Sequence, residues 1–246
     1  MSADPRAGVP APPAAAAATF GARLPLALAY ADLLAGPGVE RGLIGPGETG
    51  RLWDRHVLNS AAVAELVPAA TAGSLCLADL GSGAGLPGIV LAILRPDVRV
   101  VLVEPMARRT AFLTECAEAL GLPNVRVLRG RAEDLTGEVE ADVVTSRAVA
   151  RLDRLAGLAV GLATPGGLVL AIKGASAREE LRQAERELRR LGVRDAEVVR
   201  AGVGMVEPPA TVVRFRTGTG RGAWTGTGAG RVSAGRPRQS RHRARG

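Results

Sequence analysis

Hydrophobic positions along the chain form short, near-continuous apolar runs that alternate with longer stretches in which apolar residues recur at helical spacing. Apolar runs of four to six residues between polar turns are typical of buried parallel strands, and the amphipathic stretches predict helices. The predicted strands are residues 77–80, 98–103, 125–128, 141–145, 168–172, 198–199 and 211–215. The predicted helices are residues 107–120, 152–163 and 177–191.

This alternation of strand and helix with short connections predicts an α/β protein. The expected architecture is a doubly wound, Rossmann-like, mostly parallel seven-stranded sheet with helices on both faces. In such sheets a ligand binds beyond the carboxyl ends of the strands, so the polar residues that follow each strand are the candidate site.

A glycine-rich turn, LADLGSGAGLPG at residues 77–88, follows the first predicted strand. Gly81, Gly83 and Gly85 let the backbone bend sharply and approach a ligand closely. The spacing Gly83, Gly85 and Gly88 also matches the G-x-G-x-x-G pattern of dinucleotide binding. Asp79 and the proline at position 87 argue against a diphosphate, because a carboxylate repels an anion and proline lacks an amide donor. The turn therefore favours the cationic cofactor S-adenosylmethionine over NAD.

Two further strand ends carry acidic residues suited to a nucleoside. Glu104 ends the second strand about twenty residues after the turn, where a carboxylate reaches both ribose hydroxyls. NAD and S-adenosylmethionine both require that contact, so Glu104 does not choose between them. After the third strand, the Ala132 backbone and the Glu133 carboxylate are placed to hold an adenine edge. Capping of a helix N-terminus is the alternative role of Glu133.

Lys173 is the only lysine among 32 basic residues. A single lysine at a strand end, in a chain that otherwise uses arginine, indicates a need for a compact ammonium at the active site or on the substrate side. The alternative is that this lysine is present by chance and has no functional role. His56 lies before the first strand on a polar helical face with Asp54, Arg55 and Asn59, which forms either a wall over the pocket or a solvated surface.

The amino-acid composition indicates what the core is made of and which cellular compartment to expect. Apolar residues make up 47% of the chain and aromatic residues 2%, so the core is built from alanine, valine and leucine. Cys76 and Cys116 lack metal-ligand spacing, and we interpret them as buried thiols of a reducing, cytoplasmic compartment, with no metal site. No apolar run approaches about eighteen residues, so no membrane span is expected.

The chain divides into three predicted segments. Residues 1–22 are a disordered Pro/Ala-rich extension, residues 23–216 are the folded domain with a helical cap at about 23–72, and residues 217–246 are a disordered Gly/Arg-rich tail. The tail carries seven arginines and no acidic residue, which leaves only +1 of the net charge of +8 on residues 1–216. Such a tail suits a sequence-independent tether to RNA, or it is a compositional extension without a role.

Six segments together resemble the RsmG (GidB) family from about residue 24 to residue 215. They are RHVLNS (55–60), DLGSGAGLPGIVLAI (79–93), VEPMARRTAFL (103–113), RAEDL (131–135), SRAVARL (146–152) and AIKG (171–174). The LPGI continuation of the glycine turn and the SRA segment distinguish this family from other methyltransferases. Its members are bacterial enzymes that methylate N7 of one guanine in small-subunit ribosomal RNA.

The resemblance implies a class I methyltransferase fold, S-adenosylmethionine as cofactor, 16S ribosomal RNA or the small subunit as substrate, and a monomer. It implies that Gly81 and Leu86 contact the cofactor, that Ala132 and Glu133 hold adenine, and that Arg147 lies at the methionine end. The candidates on the RNA or substrate side are Arg55, His56, Arg108, Arg109, Arg147 and Lys173. No general base is expected, since guanine N7 already presents a lone pair and needs only in-line positioning.

Three other functions stay open at this point. One is a methyltransferase that acts on a small molecule or a protein. Another is an NAD-binding oxidoreductase or regulator, which the alternative glycine spacing supports. The third is a non-enzymatic protein that binds RNA through its tail alone.

Overall fold

The computed structural model describes residues 10–70 and 75–219, and its centre is a seven-stranded sheet. The strands are β1 (Cys76–Leu80), β2 (Arg99–Glu104), β3 (Val125–Arg129), β4 (Ala141–Arg147), β5 (Ala163–Lys173), β6 (Arg194–Ala201) and β7 (Ala210–Arg216). Their order across the sheet is β3-β2-β1-β4-β5-β7-β6. Strands β1 to β5 are parallel, and β7 runs antiparallel to β5 and β6. The predicted mostly parallel sheet is confirmed.

The strand order reverses direction between β1 and β4, and this reversal places the site. On one side the chain proceeds from β1 outward to β2 and β3, and on the other from β4 to β5. The connections that leave β1 and β4 therefore diverge and open a crevice at their carboxyl ends. Asp79 of β1 pairs in register with Thr145 of β4, so the glycine turn and Arg147 flank the same opening.

The amino-terminal part of the chain forms a helical cap. It contains α1 (Ala14–Phe20), α2 (Leu24–Leu33) and, within a helical run over residues 46–66, the single turn α3 (Asn59–Ala61). The cap thus begins at Ala14 and not at residue 23, because the alanine-rich segment is a good helix former and buries Ala16 and Phe20 in the core. Residues 1–9 and the predicted tail from 220 to 246 lie outside the described residues.

Four more helices cover the two faces of the sheet. α4 (Gly88–Leu94) and α5 (Ala107–Ala119) pack with the cap on one face, where Leu77 and Leu170 point. α6 (Leu152–Leu162) and α7 (Ala177–Arg190) cover the other face, where Ala78 and Val144 point. Both faces of the inner parallel strands are therefore buried, which explains why these strands have continuous apolar runs rather than an alternating pattern.

One segment departs from the sequence-based expectation about membranes. Ala14–Gly38 is a continuous helical stretch of 25 residues with mean hydropathy 1.2, long and apolar enough by length and composition to cross a membrane. Of the most apolar 18 residues of this stretch, 28% are buried inside the domain. Within it, the Tyr30 hydroxyl donates a hydrogen bond to the Ala84 carbonyl oxygen at 2.8 Å. The segment thus packs directly against the glycine turn.

Replacing Gly88 with alanine is expected to lower the free energy of unfolding by about 1 to 3 kcal/mol, the usual range for an overpacked core. An added Cβ would collide with Leu102 and lie 2.7 Å from the Asp79 carboxylate, and both neighbours are buried. Urea unfolding followed by circular dichroism measures the change. Gly47→Ala is the control, because its Cβ meets nothing within 4 Å; equal stability of the two variants would contradict the packing described here.

Candidate active site

The glycine turn adopts backbone conformations that only glycine accepts readily. Gly81, Gly83 and Gly85 have φ angles of +70°, +58° and +97°. A Cβ on Gly81 would lie 2.5 Å from Val149, and one on Gly85 would lie 2.8 Å from the Tyr30 hydroxyl. A Cβ on Gly83 would meet only the Gly81 carbonyl oxygen, at 3.8 Å. At Gly81 and Gly85 the missing side chain thus leaves room for neighbouring protein atoms, whereas at Gly83 it leaves open space.

Most amide groups of the turn already donate hydrogen bonds inside the protein. Gly81 and Ser82 donate to the Val103 carbonyl oxygen at 2.9 and 3.1 Å, and Gly85 and Leu86 donate to the Ser82 carbonyl oxygen at 2.7 and 3.2 Å. At the start of α4, the Gly88 amide donates to Asp79 and the Ile89 amide to the Gly85 carbonyl oxygen. A diphosphate needs several such amides free, so this turn offers few donors to an anion.

Asp79 lies beneath the turn rather than on its open side. Its side chain is fully buried; Oδ2 accepts from the Gly88 amide at 3.0 Å and Oδ1 from the Thr145 hydroxyl at 3.1 Å. Burial raises the pKa of Asp79 to about 6, and the hydrogen bonds oppose that rise. The carboxylate therefore carries a negative charge at neutral pH, and it reaches the crevice through its field and not through direct contact.

Glu104 holds the second strand end against the turn. It is 1% exposed; Oε2 accepts from the Gly83 amide and Oε1 from the Met106 amide, both at 3.0 Å. The Arg109 guanidinium, predicted on the RNA side, lies 3.7 Å from Glu104. Its Nε is buried without a hydrogen-bond partner among the described residues. Arg109 thus belongs to the wall around Glu104, whereas Arg108 on the same helix is exposed.

The third strand end adds the predicted adenine region. The Gly130 amide donates to the Glu104 carbonyl oxygen at 3.2 Å, which ties this segment to the second strand end. Ala132 is buried and Glu133 is partly exposed, 3.9 Å from Arg154. Residues 131–138 form turns and no helix begins there, so the alternative role of Glu133 as a helix cap is wrong.

Arg147, at the end of β4, fastens the cap to the sheet. Its terminal nitrogens donate to the carbonyl oxygens of Arg55 at 2.7 Å and His56 at 3.4 Å, and to the Ser60 hydroxyl at 3.3 Å. One of them also lies 3.2 Å from His56 Nδ1. The structure therefore places Arg147 at the predicted crevice but turns its guanidinium towards the cap.

His56 lies between Arg147 and an acidic residue of the cap. Its Nε2 is 3.0 Å from Glu48 Oε2, and the same oxygen forms an ion pair with the Arg55 guanidinium at 3.3 Å. Burial, followed by the charge of Arg147, holds the pKa of His56 below its ordinary value, although Glu48 opposes the shift. Both ring nitrogens of this 12% exposed side chain thus have protein partners.

A cavity of about 760 Å³ opens beside the glycine turn. Its walls come from the cap, the segment after β4, the end of β5 and the loop between β6 and β7. The charged and polar side chains that line it are Arg51, Asp54, Arg55, Asn59, Arg147, Arg151, Lys173, Glu180 and Glu207. Val149 lines the cavity and also contacts Gly81, so its side chain separates the glycine turn from the cavity.

Lys173 is held firmly at the floor of this cavity. Its ammonium donates to the Ala150 carbonyl oxygen at 2.6 Å and to Glu180 at 2.9 Å, and its side chain is 9% exposed. It therefore links β5, the segment after β4 and α7. The sequence predicted Lys173 but neither Val149 nor Glu180, since neither residue type carried a signal of its own there.

The comparisons with known proteins agree on one family. The family described as GidB, rRNA small subunit methyltransferase G, matches residues 23–205. A protein named ribosomal RNA small subunit methyltransferase G from Mycobacterium sp. (strain JLS) is 56% identical over 218 residues, covering 86% of this chain and 95% of its own. A protein of the same name from Thermobifida fusca (strain YX) is 54% identical over 208 residues, covering 85% of this chain and 86% of its own.

Solved structures with low sequence identity share the fold. A SAM-dependent O-methyltransferase from Thermotoga maritima superposes with a TM-score of 0.53 at 16% identity, covering 66% of each chain. P. horikoshii TYW2, solved in complex with MeSAdo, gives a TM-score of 0.52 at 16% identity, covering 67% of this chain and 63% of that one. The sheet and its helices therefore have the Rossmann-like fold of class I methyltransferases.

Proposed function

The chain belongs to the rRNA small subunit methyltransferase G family, and from that premise we propose that it transfers a methyl group from S-adenosylmethionine to N7 of a guanine in 16S ribosomal RNA. The observation that carries the choice of cofactor is the state of the glycine turn. Most of its amides are engaged within the protein, and the acidic side chains beside it are those of Asp79 and Glu104. That environment attracts a cation and offers a diphosphate little, which disfavours NAD.

The residues of the crevice fit S-adenosylmethionine by position and chemistry. Gly83 leaves room where a side chain would stand, so a ligand approaches its backbone. We assign Glu104 to the ribose hydroxyls, since each of its oxygens keeps a lone pair beyond the amide it already accepts. Ala132 and Glu133 are assigned to adenine, and Gly81 and Leu86 to the cofactor backbone contacts. Asp79 and Gly85 support the turn from below.

When bound, the cofactor supplies a methyl group on a positively charged sulfur. Guanine N7 attacks with its own lone pair and becomes positively charged, so no proton has to leave before the N–C bond forms and the S–C bond breaks. Both nitrogens of His56 are engaged by Arg147 and Glu48, which supports a reaction without a general base. The protein then contributes by orienting guanine N7 towards the methyl group and by accommodating the positive charge of the methylated guanine.

We assign the acceptor nucleotide to the cavity beyond Val149. Its volume lies in the range of small-molecule sites, and its rim carries Arg51, Arg55 and Arg151 for phosphate contacts. Arg108 is exposed on α5, and we assign it to a contact with the RNA. The Gly/Arg-rich tail stays a predicted RNA tether outside the described residues.

The setting proposed for the enzyme follows from the same assignment. A monomer in the cytoplasm that acts on 16S ribosomal RNA or on the small ribosomal subunit is the expected form. The contact between Tyr30 and Ala84 supports a role of the apolar segment Ala14–Gly38 as a packed part of the domain and not as a membrane span.

Mapping of the modified nucleotide tests the proposal. Small subunits and naked 16S RNA from cells that lack this chain are incubated with it and with methyl-labelled S-adenosylmethionine. Reduction and aniline cleavage, which cut RNA at 7-methylguanosine, are expected to reveal one position, and RNase is expected to release all of the label. Label that survives RNase would assign the enzyme to a different substrate, and tryptophan quenching by NADH but not by S-adenosylmethionine would assign the crevice to a nicotinamide cofactor.

A further inference from the structure

We propose that His56 is a positioning residue for the proposed methyl transfer: its neutral imidazole holds the cap on Arg147, and protonation of the ring releases that contact. The contact itself is independent of the substrate, but its effect on catalysis rests on the proposed function. His56 and Arg147 are 91 positions apart in the chain and meet where the cap closes over the end of β4.

The two hydrogen bonds of the ring fix its protonation state. A guanidinium has donors only, so the contact at 3.2 Å between Arg147 and His56 Nδ1 requires a lone pair on Nδ1. The proton of the neutral ring then lies on Nε2, where it is donated to Glu48 at 3.0 Å. Glu48 thus selects the tautomer that accepts from Arg147.

The charges that surround the ring oppose its protonation. Arg147 faces it from β4 and Arg55 from its own helical turn, and Glu48 is the carboxylate that faces it from the preceding turn. Behind Arg147 stand Asp79 and Tyr30, which interact with the guanidinium rather than with the ring. A proton on Nδ1 would remove the acceptor and place a second positive charge beside Arg147.

The pH range follows from the direction of the shift. Because folding lowers the pKa of His56, the stabilisation from the neutral ring is fully present above the ordinary value of 6.5. It is lost as the pH falls through the lower pKa of the folded protein. Acid pH therefore weakens the contact between His56 of the cap and Arg147 of β4.

Loosening the cap affects one side of the site more than the other. Arg51, Asp54, Arg55 and Asn59 belong to the cap and line the proposed acceptor cavity. Glu104 and the glycine turn belong to the sheet and keep their own hydrogen bonds. A loosened cap, still held by the other three hydrogen bonds of Arg147, is therefore expected to raise the KM for RNA while the rate at saturating RNA changes little.

Nuclear magnetic resonance of the histidine ring nitrogens in the full chain tests the contact without any substrate. Absence of one ring from the spectrum of a His56→Asn variant identifies His56. We expect the neutral form with the proton on Nε2 and a pKa below 6.5. A proton on Nδ1 of the neutral ring, or a pKa at or above 6.5, would overturn the proposal whatever the substrate of the enzyme is.

Methylation kinetics across pH test the role in the reaction. The amide oxygen of His56→Asn replaces Nδ1 as an acceptor and does not titrate, whereas His56→Ala offers no acceptor to Arg147. We expect the alanine variant to raise the KM for 16S RNA about tenfold at neutral pH, the loss expected for one hydrogen bond to a charged group. The asparagine variant should stay within about threefold of the parent and lose the rise in KM at acid pH. Equal KM values for the two variants, or an acid rise that persists with asparagine, would overturn the positioning role.

Discussion

Replacing Gly83 with alanine is expected to weaken the binding of S-adenosylmethionine about a hundredfold, as measured by isothermal titration calorimetry. Gly83 is the glycine of the turn whose missing side chain faces open space, with the Gly81 carbonyl oxygen at 3.8 Å as its nearest neighbour. A methyl group there meets no protein atom that resists it, so it fills the volume that a ligand needs to approach the backbone. The loss should therefore appear in cofactor affinity and much less in folding.

The chain offers a matched control for the backbone cost of this change. Gly121 has the same φ angle of +58°, and a Cβ on it meets nothing within 4 Å, which is nearly as open as the surroundings of Gly83. Gly121→Ala therefore costs about the same 1 to 2 kcal/mol of left-handed backbone strain as Gly83→Ala, but it follows α5, away from the turn. Similar thermal stability of the two variants with a loss of affinity in only the Gly83 variant would isolate ligand approach. An equal affinity for S-adenosylmethionine in both variants would contradict the placement of the cofactor.

Prediction from sequence succeeded where the physical signal was local. The inner strands of the sheet are buried on both faces, so their apolar runs were visible along the chain. Gly81, Gly83 and Gly85 were identifiable because a sharp turn after a strand needs positive φ angles. The position of Glu104 near the turn was predicted from its spacing, and its hydrogen bond with the Gly83 amide is consistent with that position, whereas its contact with ribose stays a prediction. Each of these inferences involves neighbours in sequence or a spacing that the fold dictates.

Three-dimensional packing accounts for what the sequence did not predict. Arg147 was expected to face the crevice, but the cap that captures its guanidinium lies 87 to 92 positions earlier in the chain. Arg109 was expected on the RNA side, and its proximity to Glu104 depends on how α5 leaves β2. The helix that begins at Ala14 has a low-complexity, alanine-rich sequence. Only the burial of Phe20 in the core shows that this helix packs as part of the domain. No local pattern encodes these pairings.

Replacing Lys173 with arginine is expected to lower kcat/KM for ribosomal RNA about thirtyfold or more, although the charge is kept. The ammonium is a point donor that contacts the Ala150 carbonyl oxygen at 2.6 Å and Glu180 at 2.9 Å within a site that is 9% exposed. A planar guanidinium is larger and directs its donors differently, so it cannot serve both acceptors in that space. The segment that carries Val149 would then lose its anchor, at a cost of about 2 to 3 kcal/mol for a partly buried pair.

Comparison with one further change separates this structural role from direct contact with RNA. If the Lys173 ammonium bound phosphate itself, arginine would serve at least as well and Lys173→Arg would retain most activity. Glu180→Gln keeps an oxygen acceptor for the ammonium and leaves the Ala150 contact intact, so a loss of less than about fivefold is expected there. In all three proteins the calorimetric affinity for S-adenosylmethionine should stay within about threefold, because Glu104 and the glycine turn make no contact with Lys173. Full activity of Lys173→Arg would show instead that this lysine binds the RNA directly. It would also show that the position of Val149 does not depend on Lys173.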